Sequence, residues 1–253
     1  MRGLSVDNAA WSSAWRDRAV SDKALLGLGL VVCALLLPVW PGSVVVTAVA
    51  LSCSVFGART PVRLLFGALR APAAFVALGA VSIAVTVTVE PRFALGVDQA
   101  GLMRAGEVTL HAVAGTTSVL LLAMSTPMID ILDGLRRWRV PSICVDIAAL
   151  MYRMLFILLD SVGTIRQSQS ARLGYSSPRR AMASTGSLTA SVLLKSWDRA
   201  YRLEAGLAGR EFGAETRTLR SDRPSSHRFV LVSLLGFVAI VALSTAPIGW
   251  ELL

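Results

Sequence analysis

The stretch SARLGYSSPRRAMASTGSLTASVLLKSWDRAYRLEAGLAGREFG, residues 170–213, is basic and polar inside an otherwise apolar chain. Two of its arginines, Arg172 and Arg210, stand in similar settings. Ala171-Arg172-Leu173 is followed by Gly174, and Gly209-Arg210-Glu211 by Phe212-Gly213. Each reads as a helix C-terminus ended by a glycine able to take the left-handed cap conformation. Between them, Ser177 as N-cap and Pro178 at the first helical position mark a helix start. Gly186 and Ser187 are expected to break or bend that helix. From 187 to 211, Leu194, Trp197, Tyr201, Ala205 and Ala208 recur at spacings of three and four, while Lys195, Arg199 and Arg202 occupy a basic face.

Around this stretch the composition is that of a membrane protein. Of 253 residues, 54% are hydrophobic and 16% charged, and the mean hydropathy is +0.62, too apolar for an ordinary soluble domain. The net charge of +9 rests on arginine, because lysine occurs only at Lys23 and Lys195. Arginine suits phosphates, anionic lipid and partner carboxylates. Next to spanning helices a basic surface is first a cytoplasmic signal, so no nucleic-acid partner is expected. Cys33, Cys53 and Cys144 are scattered, and His111 and His227 share no ligand spacing. Neither a disulfide framework nor a metal site is encoded.

The first 23 residues, with Trp11, Trp15, Arg16, Arg18 and Lys23, suit an interfacial segment. Spans are expected at 24–40, 43–58, 71–89, 108–124 and 229–246, the first a retained helix and not a signal peptide. The loop at 59–70 holds Arg59, Arg63 and Arg70 with no acid, which places it inside, whereas 90–104 is balanced and suits the far side. Residues 247–253 form a short tail outside.

Residues 141–161 are apolar enough to span, and a span there would put the basic stretch outside. Residues 162–228 carry twelve Arg or Lys against five Asp or Glu, a net of +7, and so belong inside. Asp146, Arg153 and Asp160 recur every seven positions as one polar stripe. The expectation is a long amphipathic helix along the membrane base; a span with its charges buried in a bundle is the alternative. The fold class is therefore an all-α integral membrane protein with about five spanning helices plus amphipathic cytoplasmic helices. The domain organisation reads as 1–140 membrane, 141–228 cytoplasmic, and 229–253 last span and tail.

Catalytic signatures are missing. Neither Lys23 nor Lys195 follows a glycine, so there is no P-loop, and no HExxH or GxSxG occurs. Asp146 and Asp160 lie roughly 21 Å apart along a helix, too far for joint acid and base work. An enzyme is not expected.

The runs Leu150-Met151-Tyr152-Arg153, Gln169-Ser170-Ala171-Arg172-Leu173-Gly174-Tyr175, Asp198-Arg199-Ala200 and Gly209-Arg210-Glu211-Phe212 resemble the transmembrane coupling (T) component of energy-coupling factor transporters, in its CbiQ type. The resemblance extends from Trp15-Arg16 and Asp22-Lys23-Ala24-Leu25-Leu26 through Ser125-Thr126-Pro127 and Arg139-Val140-Pro141 to the last span. It implies a non-catalytic subunit of a cobalt or nickel importer. Its partners would be two ABC-type ATPase subunits, a substrate-binding membrane S component and the lipid bilayer. No cofactor would reside in this chain, ATP being bound by the ATPases. The resemblance assigns ATPase docking to Ala171, Arg172 and Leu173 and to Gly209, Arg210 and Glu211. In the second motif Gly209 and Glu211 replace the usual Ala and Gly. Leu194, Trp197 and Tyr201 are the implied contacts of the coupling helix. The alternative is an ordinary ABC importer permease, prompted by Glu204-Ala205-Gly206 followed by Gly209; the Ile-x-Leu-Pro-like continuation is missing.

Overall fold

The computed structural model describes residues 5–88, 94–97, 99–208 and 225–245. Among them the helices are α1 (Ser5–Ser12), α2 (Val20–Leu36), α3 (Val44–Ser52), α4 (Val62–Ala84), α5 (Gln99–Ser125), α6 (Met128–Arg137), α7 (Ser142–Ala171), α8 (Pro178–Ala208) and α9 (His227–Thr245). Wider π-type turns extend α3 at both ends into one run, Val39–Gly57. The exception to helix is a short antiparallel hairpin of β1 (Val85–Thr88) and β2 (Ala94–Val97), pairing Val85 with Val97 and Thr88 with Ala94. The alternating Val-Thr-Val-Thr that ends the expected third span is a strand pattern, and it wins as soon as α4 stops.

The fold is thus an all-α multi-pass membrane protein. Among the described residues, five helices are long and apolar enough to cross a bilayer: Val39–Gly57, α4, α5, α7 and α9. α2, at 17 residues, is about 25 Å long, the lower limit for a 30 Å hydrocarbon core. α4 begins after Pro61, not at Ala71, and runs through Arg63, Arg70 and the internal Pro72. One proline in a long apolar helix removes a single backbone hydrogen bond, which bends the helix without ending it.

The chain divides into two compact units, one built from Leu4–Gly134 with Asp222–Leu253, the other from Leu135–Ser221. In the first, α2 is central, burying Leu26, Leu30 and Ala34. Apolar side chains gain little by leaving lipid for protein, so close packing of small residues does the work. A Cβ on Gly27 would lie 2.9 Å from the Leu122 Cβ of α5, and one on Gly29 would overlap the Phe237 ring of α9.

The start of α2 also holds a buried charge pair. Asp22 is 2% exposed and Lys23 1%. The Ser226 N–H, just before α9, donates to Asp22 Oδ2 at 2.8 Å, and Lys23 Nζ donates to the Ser125 carbonyl, the last of α5, at 3.2 Å. An anion at a helix N-terminus and a cation at a C-terminus both complement the helix dipole. The start of α2, the end of α5 and the start of α9 therefore meet at one end of the unit. This corrects the expected boundary: α2 starts at Val20 and takes in both charged residues, because partners 204 and 102 positions away satisfy them. Nearby, Trp15 meets Phe229 edge to face at 5.3 Å, and the Arg18 guanidinium stacks over the same Phe229 ring.

Candidate functional site

The second unit carries the Arg172 tip. α7 runs for 30 residues and ends at Ala171, with Arg172 as C-cap (φ −96°, ψ 18°). Leu173 takes the left-handed conformation at φ 59°. The Gly174 N–H donates to the Gln169 carbonyl at 2.9 Å and the Leu173 N–H to the Ser170 carbonyl at 3.0 Å, the paired bonds of a Schellman turn. The expected cap is therefore present but shifted by one residue, since Leu173, not Gly174, supplies the positive φ. Such a conformation costs a non-glycine residue about 1 kcal/mol or more. Glycine at 174 answers a different need: a Cβ there would sit 2.6 Å from Ser184 Oγ and 2.9 Å from the Gln169 oxygen.

That close approach builds a lock between α7 and α8. Ser184 Oγ donates to the Gly174 carbonyl at 2.9 Å, Gln169 Nε2 donates to the Ser184 carbonyl at 3.0 Å, and the Tyr175 hydroxyl donates to Gln169 Oε1 at 2.8 Å. The Arg166 guanidinium lies 5.8 Å from the Tyr175 ring centroid, bracing it further. Pro178 opens α8 as expected, and Ser177 Oγ accepts from the Arg180 N–H at 3.4 Å. Outside this network the Arg172 side chain is exposed, beside the partial negative charge of the α7 C-terminus, and Leu173 is 67% exposed.

α8 is continuous from Pro178 to Ala208, so Gly186 and Ser187 do not break it. An interior glycine costs only about 1 kcal/mol, and neighbouring threonines return their hydroxyls to the helix: Thr185 Oγ1 to the Ala181 carbonyl and Thr189 Oγ1 to that of Thr185. Ala181, Ser184, Leu188 and Val192 are half-buried. Trp197 and Tyr201 follow Leu188 and Val192 by nine residues, half a turn out of phase on a helix, and so lie on the opposite face. They are 64% and 58% exposed, with rings 5.9 Å apart, and Leu194 is exposed beside them. Arg202 pairs with Asp198 at 2.8 Å, while Lys195 and Arg199 stay exposed. Glu204, Ala205 and Gly206 lie within α8 and are exposed.

Of the α7 stripe, Asp146 forms an ion pair with Arg136 at the end of α6, while Arg153 and Asp160 are exposed. The second expected motif, Gly209, Arg210 and Glu211, lies outside the described residues. The structure thus brings Ala171, Arg172 and Leu173 together on one locked turn and sets Leu194, Trp197 and Tyr201 on an open helix face. Sequence reading missed the lock itself; the signal available was a Gln169, Tyr175 and Ser184 spacing that only becomes meaningful once the turn is formed.

The chain matches the CbiQ family, described as cobalt transport protein, over residues 12–219. It is 37% identical over 237 residues to the cobalt transport protein CbiQ of Rhodobacter capsulatus, covering 94% of this chain and 96% of that one. To the cobalt transport protein CbiQ of Salmonella typhimurium it is 29% identical over 188 residues, 70% of this chain and 82% of the other. A putative fused cobalt transport protein CbiMQ of Methanocorpusculum labreanum is 23% identical over 203 residues, which are 77% of this chain and 34% of that longer one.

Proposed function

Because this chain belongs to the CbiQ family of cobalt transport proteins, and is accordingly a non-enzymatic membrane component of a transporter, we propose that it is the coupling subunit of an energy-coupling factor importer for cobalt or nickel ions. Its two arginine tips, Arg172 and Arg210, dock into grooves of two ABC-type ATPases, which bind the ATP. A separate membrane subunit holds the metal ion.

The observation that carries this reading is the geometry at Arg172. An exposed guanidinium, flanked by an exposed leucine, is presented on a turn that four side-chain and backbone groups fasten to α8. Arginine in that position makes charge-assisted hydrogen bonds to carboxylates or carbonyls of a soluble partner. When nucleotide draws the ATPases together, the tip is displaced, and the lock passes the displacement to α8. The exposed Leu194, Trp197 and Tyr201 face then pushes on the substrate-binding subunit.

Topology supports the same reading. The Asp22 and Lys23 contacts put the end of α5 and the start of α9 at one end of their unit. The chain between them must then cross the bilayer an even number of times. α8, with Arg179, Arg180, Lys195, Arg199 and Arg202, is not apolar enough to cross. A single crossing by α7 is therefore disfavoured, in keeping with 1–140 and 229–253 as membrane segments and 141–228 as cytoplasmic coupling helices.

The test is co-purification of the transporter's ATPases with the full chain. Arg172→Ala and Arg210→Ala should each reduce ATPase recovery about tenfold or more, while Arg179→Ala and Arg199→Ala leave it within twofold. Equal small losses at all four positions would mean that total basic charge, not two tips, governs association.

A further inference from the structure

The run Val39–Gly57 and α4 are both long and apolar enough to cross a bilayer, so the turn at 58–61 between them lies at a membrane surface. Buried bonds fix that turn. The Thr60 N–H and Oγ1 both donate to the Ser54 carbonyl, at 3.1 and 2.7 Å, and the Ala14 N–H and Ser13 Oγ donate to the Ala58 carbonyl at 3.1 and 3.2 Å. Arg59 stands on the turn, with Arg63 and Arg70 following on α4. All three are exposed, no acid occurs from 59 to 70, and none of them forms an ion pair among the described residues. A cation in the first turn of a helix opposes the helix dipole, and no acidic residue there offsets Arg63. The charge is therefore not placed for the benefit of the helix; it suits an anion from outside the chain.

Arg63 and Arg70 frame a notch. Residues 63, 67 and 70 share one face of α4, with Arg63 about 6 Å and Arg70 about 4.5 Å along the axis from Gly67. Gly67 is exposed and a Cβ there would have nothing within 4 Å, so the space between the two arginines is open to a group the size of a phosphate. The guanidinium fork binds phosphate oxygens through paired N–H groups. The charge-free part of α4 starts at Ala71, which sets the notch at the polar end of the span, at headgroup level. Further along the same face Ala71, Ala74 and Leu78 are exposed and apolar, with Phe66 at 62% and Phe75 at 79% exposed on its two flanks. Cations first and apolar surface after is the order that meets an anionic headgroup followed by acyl chains. A soluble phosphate compound would leave the apolar part uncovered.

We infer that Arg63, Gly67 and Arg70 form a binding site for one anionic phospholipid, its phosphate in the notch over Gly67 and an acyl chain along Ala71, Ala74 and Leu78. Arg59, on the fixed turn, adds positive charge at the rim. The site lies wholly within the first unit and stands independently of the coupling role.

The test is native mass spectrometry of the full chain, purified in detergent and given dioleoylphosphatidylglycerol or dioleoylphosphatidylcholine at equal concentration. The wild type should hold one phosphatidylglycerol, with occupancy about tenfold above that of phosphatidylcholine. Arg63→Gln combined with Arg70→Gln should lower that occupancy about tenfold. Gly67→Leu should do the same, because it keeps every charge and fills the notch, and on an open helix surface leucine is a better helix former than glycine. Arg179→Gln combined with Arg199→Gln, an equal loss of charge on α8, should leave occupancy within about twofold. Full occupancy in Gly67→Leu, or an equal loss in the α8 variant, would reduce the binding to overall charge and overturn the site. Equal retention of the two lipids by the wild type would overturn it as well. Displacement of phosphatidylglycerol by excess inorganic phosphate would assign the notch to a soluble anion and contradict the lipid assignment.

Discussion

Leu173 is one of three described non-glycine residues held at positive φ, with Arg59 and Arg139: its side chain is largely exposed at φ 59°, next to the arginine on which the proposed coupling role depends. Replacing it by glycine should relieve about 1 kcal/mol of strain and leave the turn as stable or more so, yet weaken ATPase recovery severalfold by removing the apolar flank of Arg172. Thermal melting in detergent and co-purification should thus move in opposite directions. Gly174→Ala is the converse case. Its new Cβ would press on Ser184 Oγ and the Gln169 carbonyl, costing about 1–3 kcal/mol as overpacking does. Faster amide exchange across residues 169–184, with Arg172 itself unchanged, is the expected signature. The sequence pointed to this turn and its arginine, because chain-end signals are local. It misassigned the positive φ, because what Gly174 must avoid is a side chain ten residues further on.

At the scale of elements, two features test the architecture. Lys23→Met removes the ammonium from the Ser125 carbonyl while keeping the stem. A buried acceptor left unpaired costs about 1–3 kcal/mol, so the melting temperature should fall by several degrees; an unchanged value would mean that the helix ends are held together by packing alone. Trp197→Ala with Tyr201→Ala removes two exposed rings and should change stability by less than about 1 kcal/mol, while recovery of the substrate-binding subunit drops tenfold or more. Apolar runs disclosed most helices here, yet their starts were read too late at α2 and α4. Charged residues at Asp22, Lys23, Arg63 and Arg70 look like loop until distant partners or a bilayer interface accommodate them. The continuity of α8 through Gly186 was hidden for a related reason, since a single glycine weakens a helix by less than the thirty other residues of α8 support it.

For the whole molecule, the side of the membrane on which α8 lies ties the fold to its role. A cysteine at Thr185, exposed on α8, should resist a membrane-impermeant maleimide added outside intact cells and react after permeabilisation. Labelling from outside would require α7 to cross alone and would separate Arg172 from any cytoplasmic ATPase. Composition and charge made the membrane class legible; that the end of α5 and the start of α9 lie at one end of their unit became legible only with the Asp22 and Lys23 contacts. The most direct measurement is ATPase recovery with the purified chain carrying Arg172→Ala, set beside Arg179→Ala seven residues away. A coupling subunit should lose its ATPases about tenfold with the first change and keep them with the second. Equal recovery from the two variants would contradict the coupling role of the tip.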